Sequence, residues 1–141
     1  MLTGCGNSNN SSKQIAISKV DSTFKLDFFN AIPDTLNGCG EYFTYDTTAV
    51  TRGRYVFLSN LTGFAIIKIN GNDIYLKRDS SESKEINDKS YIAVYKGQNY
   101  KAILTIKQEK SYDEGGFYSG TLQIIGDKIN VTFKVHGESG C

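Results

Sequence analysis

Short runs of aromatic and β-branched residues, each broken by Gly, Asn, Asp or Ser, follow one another along the chain from Gln14 onward. No stretch combines the length and the 3.6-residue spacing of apolar residues that a long amphipathic helix needs. Runs of this kind form β-strands, and the polar breaks between them supply the turns. The sequence therefore predicts an all-β protein.

Two features locate individual strands. Ile129, Val131, Phe133 and Val135 alternate with polar residues, as expected for a strand with one buried face and one wet face. Asn70-Gly71 lies between two apolar runs, and this dipeptide favours a type I′ hairpin because both central residues need positive φ. We predict hairpin turns at residues 70–71 and 126–127.

The full set of predicted strands fits a closed or nearly closed sheet. About eight to ten strands joined by tight turns would form a small antiparallel β-barrel or a barrel-like sandwich, which buries faces and hides edges. Residues 31–36 hold the only proline and predict one short helical turn across one end of the core. Residues 79–87 predict a loop with at most a short strand. The strands are predicted at 14–20, 23–29, 41–45, 54–59, 62–70, 73–77, 90–95, 99–108, 116–125 and 128–136.

The amino-acid composition limits the kinds of partner that this chain is expected to bind. Sixteen Lys and Arg residues balance 15 Asp and Glu residues, so a net charge of +1 gives no general attraction to nucleic acid. No apolar run approaches the roughly 18 residues that span a bilayer, so any membrane attachment would be through a covalent lipid. We expect residues 14–141 to form a single, monomeric β domain.

The segment Leu2-Thr3-Gly4-Cys5 resembles the lipobox of bacterial lipoproteins, in which the Cys becomes the lipidated N-terminus after cleavage of a signal peptide. The resemblance implies that residues 1–4 are a signal-peptide remnant and that Cys5 carries the lipid. Residues 5–13 contain no apolar side chain besides the Cys and predict a flexible linker. Gly6 stands where an Asp would retain a lipoprotein at the inner membrane, which implies an outer-membrane location.

The chain has three cysteines, and lipidation of Cys5 would leave two. Cys39 and Cys141 could then form a disulfide, which would close a loop of about 100 residues and stabilise the fold by about 4 to 5 kcal/mol. The alternative is a cytosolic protein in which both thiols are free. One His and two distant Cys lack the paired spacing of a zinc site, so we predict no metal.

The residues that could support catalysis are few. His136, the only histidine, falls on the polar face of the last strand and predicts a surface residue. The adjacent pair Asp113-Glu114 falls in a hairpin loop, whereas a glycosidase needs carboxylates facing each other across a cleft. No glycine-rich phosphate loop follows a strand. We therefore expect no enzyme activity and no cofactor.

Aromatic residues give the best candidate for a binding surface. Tyr rings with polar tips suit binding, and nearby Arg side chains could hold a carboxylate or phosphate. The alternative is that Phe43 and Phe57 belong to the core and the Tyr rings shield strand edges. The candidate binding surface is Tyr42, Tyr45, Arg52, Arg54 and Tyr55.

Two further resemblances concern larger parts of the chain. The segments 38–43, 54–57, 67–71 and 137–141 resemble a group of small, uncharacterised exported bacterial proteins. Those proteins carry a second Cys near each cysteine motif, at the places of Glu41 and Ser139 here. The chain also resembles the membrane-bound inhibitors of c-type lysozyme, which are small lipoproteins with a β-barrel body and a disulfide to the C-terminal Cys. Their inhibitory motif is Ser-Gly-x-x-Tyr, and here Ser119-Gly120 is not followed by a Tyr three residues after the Gly.

Together these features predict a lipid-anchored protein of the bacterial cell envelope that binds a protein or a small molecule without catalysis. The alternatives are an inhibitor of lysozyme or another hydrolase, and a lipocalin-like carrier with a closed apolar cavity.

Overall fold

A computed structural model of the protein describes residues 23–36, 39–46, 54–61 and 63–140. The described residues form nine antiparallel β-strands and one 3-10 turn at Asp34–Leu36, which confirms the all-β prediction and its single helical turn. The strands are β1 (Gly40–Tyr45), β2 (Phe57–Ser59), β3 (Phe64–Ile69), β4 (Asn72–Arg78), β5 (Lys84–Asn87), β6 (Ser90–Gly97), β7 (Tyr100–Tyr112), β8 (Gly115–Gly126) and β9 (Ile129–Gly140).

The sheet closes on itself where β4 meets β6. Lys77 pairs with Lys96 and Arg78 pairs with Tyr95, which joins the two ends of the order β4-β3-β2-β1-β9-β8-β7-β6. Eight strands therefore form a closed antiparallel barrel, and the barrel rather than the sandwich is confirmed. β5 is an additional short strand beside the first half of β6, in agreement with the prediction for residues 79–87.

The hairpin turns follow the expected backbone chemistry. Asn70 and Gly71 have φ values of 51° and 82°, which confirms the predicted hairpin between β3 and β4. The last hairpin turns at Asp127-Lys128, one residue later than predicted, and Lys128 takes the positive φ of 61°.

Apolar side chains fill the middle of the barrel. Phe43, Phe57 and Tyr95 are fully buried there together with aliphatic residues of the other barrel strands, which confirms that Phe43 and Phe57 belong to the core. An eight-stranded barrel is just wide enough for its own side chains to fill it.

The predicted strand at 23–29 is wrong. This segment forms only one isolated bridge, between Phe29 and Tyr55. The backbone of Leu26 instead bonds to the side-chain hydroxyl of Tyr45, and the amide of Asp27 donates to the carbonyl of Lys68. The segment therefore lies against the barrel end at which β1 and β3 finish.

Two further predictions need correction. The helical turn does not cross a barrel end, because Leu36 packs with Leu58 and Ile66, whose neighbours along β2 and β3 fill the interior. The turn covers the outer face instead. The strand predicted at 54–59 is shortened to β2, since Tyr55 forms only the isolated bridge.

Some predictions fall on other parts of the chain. The strand at 14–20, the linker and Cys5 lie outside the described residues, as do Arg52 and Cys141. Within the described part, no helix has the length and apolar character needed to cross a bilayer.

Candidate functional site

A carboxylate lies inside the barrel. Glu41 on β1 is 1% exposed, and it shares an alternating strand face with the core residue Phe43. Its hydrogen-bond partners come from β2 and β6, and β6 lies across the barrel from β1. Burial of a carboxylate is costly unless it is paired or hydrogen-bonded, so its partners determine its chemistry.

Two hydroxyl groups donate directly to Glu41. Ser59 Oγ donates to Oε1 at 2.9 Å, and the phenol of Tyr91 donates to Oε2. Ser59 is itself fully buried. Both oxygens of the Glu41 carboxyl group therefore accept a hydrogen bond, so neither is left without a partner.

A hydrogen-bonded chain links Glu41 to a guanidinium group. Arg78 Nη1 donates to the hydroxyl of Tyr95 at 3.3 Å, and this hydroxyl donates to Ser59 Oγ at 3.3 Å. The amide of Leu61 also donates to Ser59 Oγ, at 3.0 Å. Because Ser59 accepts two hydrogen bonds, its own hydrogen goes to Glu41, and the whole chain points toward the carboxylate.

Opposing effects act on the protonation of this cluster. Burial has the largest effect and raises the pKa of Glu41 above its usual value. Hydrogen bonds from Tyr91 and Ser59 and the charge of Arg78 lower this pKa, but by less. Burial, and then the charge of Glu41, also raise the pKa of Tyr91, so its phenol stays protonated and remains a donor.

A pocket of about 440 Å³ opens onto this cluster. Its buried members are Glu41 and Ser139, which lie directly opposite each other on β1 and β9. Its exposed members include Ser80, Lys84 and Glu85, which follow the end of β4 and begin β5. The extra strand therefore builds one wall, and the pocket leads from solvent to a buried carboxylate.

The described members of the candidate surface predicted from sequence fall into two groups. The rings of Tyr42 and Tyr55 contact each other in a tilted arrangement on the outer face, with centroids 5.7 Å apart. Tyr45 packs in the main core and bonds to Leu26, while Arg54 lies 4.3 Å above the ring of Phe28. The structure therefore brings Tyr42 together with Tyr55, and it brings Tyr45 and Arg54 to the same ring, that of Phe28.

A second pocket of about 480 Å³ lies beside Tyr42. Tyr112 contributes to it and donates a hydrogen bond to Glu138 Oε1 at 3.0 Å. Asp113 and Glu114 form the exposed turn between β7 and β8, as the loop prediction stated. The pocket is acidic, but its carboxylates belong to an exposed hairpin tip and strand end.

His136 lies at the surface, as predicted. Its Nδ1 lies 3.2 Å from Asp46 Oδ1, and the side chain of His136 is 44% exposed. Ser119 pairs with His136 across β8 and β9, but its hydroxyl donates to Glu109. The Ser119 hydroxyl is thus hydrogen-bonded to Glu109 and not to His136, so Ser119, His136 and Asp46 do not form the arrangement of a catalytic triad.

Glu41 was not among the site residues predicted from sequence. It was predicted only as the first residue of the strand at 41–45 and as a cysteine position of the resembling proteins, although alternation along that strand places Glu41 and Phe43 on one face. The partners Ser59 and Tyr91 are 18 and 50 residues away, so no local pattern joins them.

Among the residues that the structure describes, no group of three or more His, Cys, Asp and Glu side chains is placed to hold a metal ion. Cys39 directly precedes β1, and its pairing with Cys141 stays a prediction. Comparison with protein-family models, curated proteins and solved structures found no significant match to this chain.

Proposed function

We propose that this protein is a monomeric lipoprotein of the bacterial envelope, anchored in the outer membrane, and that it binds a small polar ligand without catalysis. The observation that carries the binding proposal is the buried carboxylate of Glu41 at the base of an open pocket. Most other side chains of the barrel interior are apolar, so a carboxyl group there calls for a role other than packing.

Two structural observations favour this proposal over a lipocalin-like carrier and over a lysozyme inhibitor. A lipocalin-like carrier needs an apolar cavity, but the barrel middle is filled by side chains such as Phe43 and Tyr95. A lysozyme inhibitor needs a projecting motif, but Tyr118-Ser119-Gly120 lies within β8, with the Tyr118 ring against Tyr91.

The absence of catalysis is proposed from the state of the hydroxyl groups. Ser59 is fully buried and its hydrogen is held by Glu41, so a substrate in the pocket does not reach it. The raised pKa of Tyr91 disfavours a phenolate nucleophile or base.

Envelope location is proposed from the lipobox-like segment and from strand register. β1 and β9 pair Gly40 with Gly140, and these residues adjoin Cys39 and Cys141 in the sequence. This register is compatible with a disulfide between the two cysteines, as an exported protein would use. Glu41 and Ser139, where the resembling proteins carry further cysteines, are also cross-strand partners.

Ligand binding is tested by amide NMR shifts with a panel of sugars, amino acids, dicarboxylates and polyamines. We expect a hit to shift the amides of Leu61, Arg78 and Tyr91, and to lose this effect in Ser80→Trp, which blocks the mouth. Ser81→Trp is the matched control, because Ser81 is the next residue and is also exposed but does not line the pocket. Hits that bind Ser80→Trp unchanged, or no hit at all, would refute the pocket.

Location is tested by intact mass spectrometry of protein expressed in a Gram-negative host with its natural upstream sequence. We expect a diacylglycerol-sized addition at Cys5 and a disulfide-linked peptide pair that holds Cys39 and Cys141. Unmodified Cys5 with three alkylatable thiols would overturn the envelope proposal.

A further inference from the structure

We propose that the pocket binds a small zwitterion, with its ammonium group at Glu41 and its anionic group at Arg78. This inference rests on the proposed function, because it assumes that the Glu41 pocket is the binding site. It adds the chemical class of the ligand, which follows from the unused hydrogen-bonding capacity of the two charged residues.

Glu41 has room for a ligand that donates. Its carboxylate offers about four lone-pair positions, and Ser59 and Tyr91 occupy one on each oxygen. The hydrogens of both hydroxyls already point at the carboxylate, so an acceptor brought to this place would face only oxygen lone pairs. A ligand that reaches the base of the pocket must therefore donate, and an ammonium group brings three donors and the compensating charge.

Arg78 has room for a ligand that accepts. Its Nη1 bonds to the carbonyl of Leu61 and the hydroxyl of Tyr95, and its guanidinium lies 5.8 Å from the Tyr95 ring centroid. Within the described part of the chain, no carboxylate forms an ion pair with it. A guanidinium has five N–H donors in a planar fork, so the remaining donors suit a carboxylate or a similar anion.

The two charges favour one ligand that carries both signs. Arg78 and Glu41 do not touch, because the hydroxyls of Tyr95 and Ser59 lie between them. A purely anionic ligand would leave the Glu41 carboxylate without a direct counter-charge. A purely cationic ligand would leave the Arg78 guanidinium without one. A zwitterion pairs with both, and the pocket of about 440 Å³ accommodates a metabolite-sized molecule.

The test compares four probes of similar size on the isotope-labelled protein near neutral pH. The probes are γ-aminobutyrate as the zwitterion, n-butylamine as the cation, butyrate as the anion and n-butanol as the neutral compound. Glycine and β-alanine vary the distance between the charges. We expect the best zwitterion to shift the amides of Leu61 and Arg78 and to bind about tenfold more tightly than either singly charged probe.

Two variants assign the charges to the residues. Glu41→Gln should reduce zwitterion affinity to about that of butyrate, and Arg78→Gln should reduce it to about that of n-butylamine. Asp127→Asn is the control, because Asp127 is an exposed carboxylate in the turn between β8 and β9 and does not line the pocket, and it should change affinity less than about twofold. Retained amide dispersion and melting temperature verify that each variant is folded, and Arg78→Gln tests the inference even where Glu41→Gln is poorly folded.

The outcomes separate this inference from the proposed function. If butyrate, n-butylamine or n-butanol shifts the pocket amides as strongly as the best zwitterion, the pocket stands and the zwitterion inference is wrong. The same holds if only sugars from the wider panel bind there. If no compound in either set shifts these amides, both the inference and the binding function are overturned.

Discussion

The phenol of Tyr91 on β6 donates a hydrogen bond to the buried carboxylate of Glu41 on β1, across the full width of the barrel. Three strands separate β1 from β6 in either direction, namely β2, β3 and β4 one way and β9, β8 and β7 the other. Tyr95 makes a second crossing bond, to Ser59 on β2. Hydroxyl groups thus join strands across the barrel beside the pocket, and apolar side chains pack together in the rest of the interior.

The hydrogen bond from Tyr91 to Glu41 predicts a loss of stability when its donor is removed. Tyr91→Phe keeps the ring against Tyr118 but leaves Glu41 one donor short in a buried position. We expect the free energy of unfolding to fall by about 1–3 kcal/mol at neutral pH. Urea denaturation measures this loss. Tyr112→Phe is the control, because it removes an exposed hydrogen bond to Glu138, and we expect it to cost under about 0.5 kcal/mol. Equal losses of stability in Tyr91→Phe and Tyr112→Phe would contradict this account.

The buried carboxylate predicts a pH dependence of stability with a definite sign. Burial raises the pKa of Glu41 in the folded protein above its unfolded value, so folding favours the protonated form. Its favourable contribution is full below the unfolded pKa and is lost as pH rises through the folded pKa. We therefore expect Glu41→Gln to gain stability relative to the unsubstituted protein as pH rises across this window.

The difference between the two proteins isolates Glu41 from other titrating groups. Hydrogen bonds from Lys96 and Ser81 hold the pKa of Asp79 below its usual range, so its contribution is present above the unfolded pKa and is lost as pH falls. Asp79→Asn should consequently lose stability relative to the unsubstituted protein as pH rises. Denaturation curves at several pH values for the three proteins measure both signs, and a flat difference for Glu41→Gln would rule out the raised pKa.

Alternation and turn chemistry were sufficient to predict most of the barrel. Asn70-Gly71 carries its own conformational preference, and the run from Ile129 to Val135 carries its own period. Alternation also held information that the predicted binding surface did not use. Tyr42 and Tyr45 are three residues apart in one strand, so they belong on opposite faces and do not form a common surface.

Long-range partners account for what local patterns did not predict. Phe24, Leu26 and Phe28 have strand-like spacing, but the backbone of Leu26 bonds to a tyrosine side chain 19 residues later. The pocket likewise depends on the register that places Ser139 opposite Glu41 and on closure of β4 against β6. These contacts exist only after the sheet has closed, so single runs of sequence carry no signal for them.

The contact between Tyr45 and Leu26 predicts a local opening. The Tyr45 hydroxyl accepts a hydrogen bond from the Leu26 amide at 2.8 Å and donates one to the Leu26 carbonyl at 2.9 Å. We expect Tyr45→Phe to reduce stability by about 1–2 kcal/mol and to accelerate hydrogen exchange at Leu26 more than in the barrel strands. Tyr100→Phe is the control, since within the described residues its hydroxyl makes no hydrogen bond. Unchanged exchange at Leu26 would show that the hydroxyl does not hold this segment.

Gly120 predicts a steric limit on the barrel wall between β7 and β8. A Cβ atom at this position would overlap the backbone carbonyl oxygen of Thr105 and approach Ile106 Cα to 2.9 Å. These atoms belong to the paired strand β7, so they move only if the ladder is disturbed. We expect Gly120→Ala to reduce the free energy of unfolding by about 2 kcal/mol or more. Gly71→Ala is the comparison, because Gly71 has open space but a φ of 82°, and about 1 kcal/mol of backbone strain is expected there. Urea denaturation of both variants decides the matter, and a smaller loss for Gly120→Ala than for Gly71→Ala would mean that the strands are not held this closely.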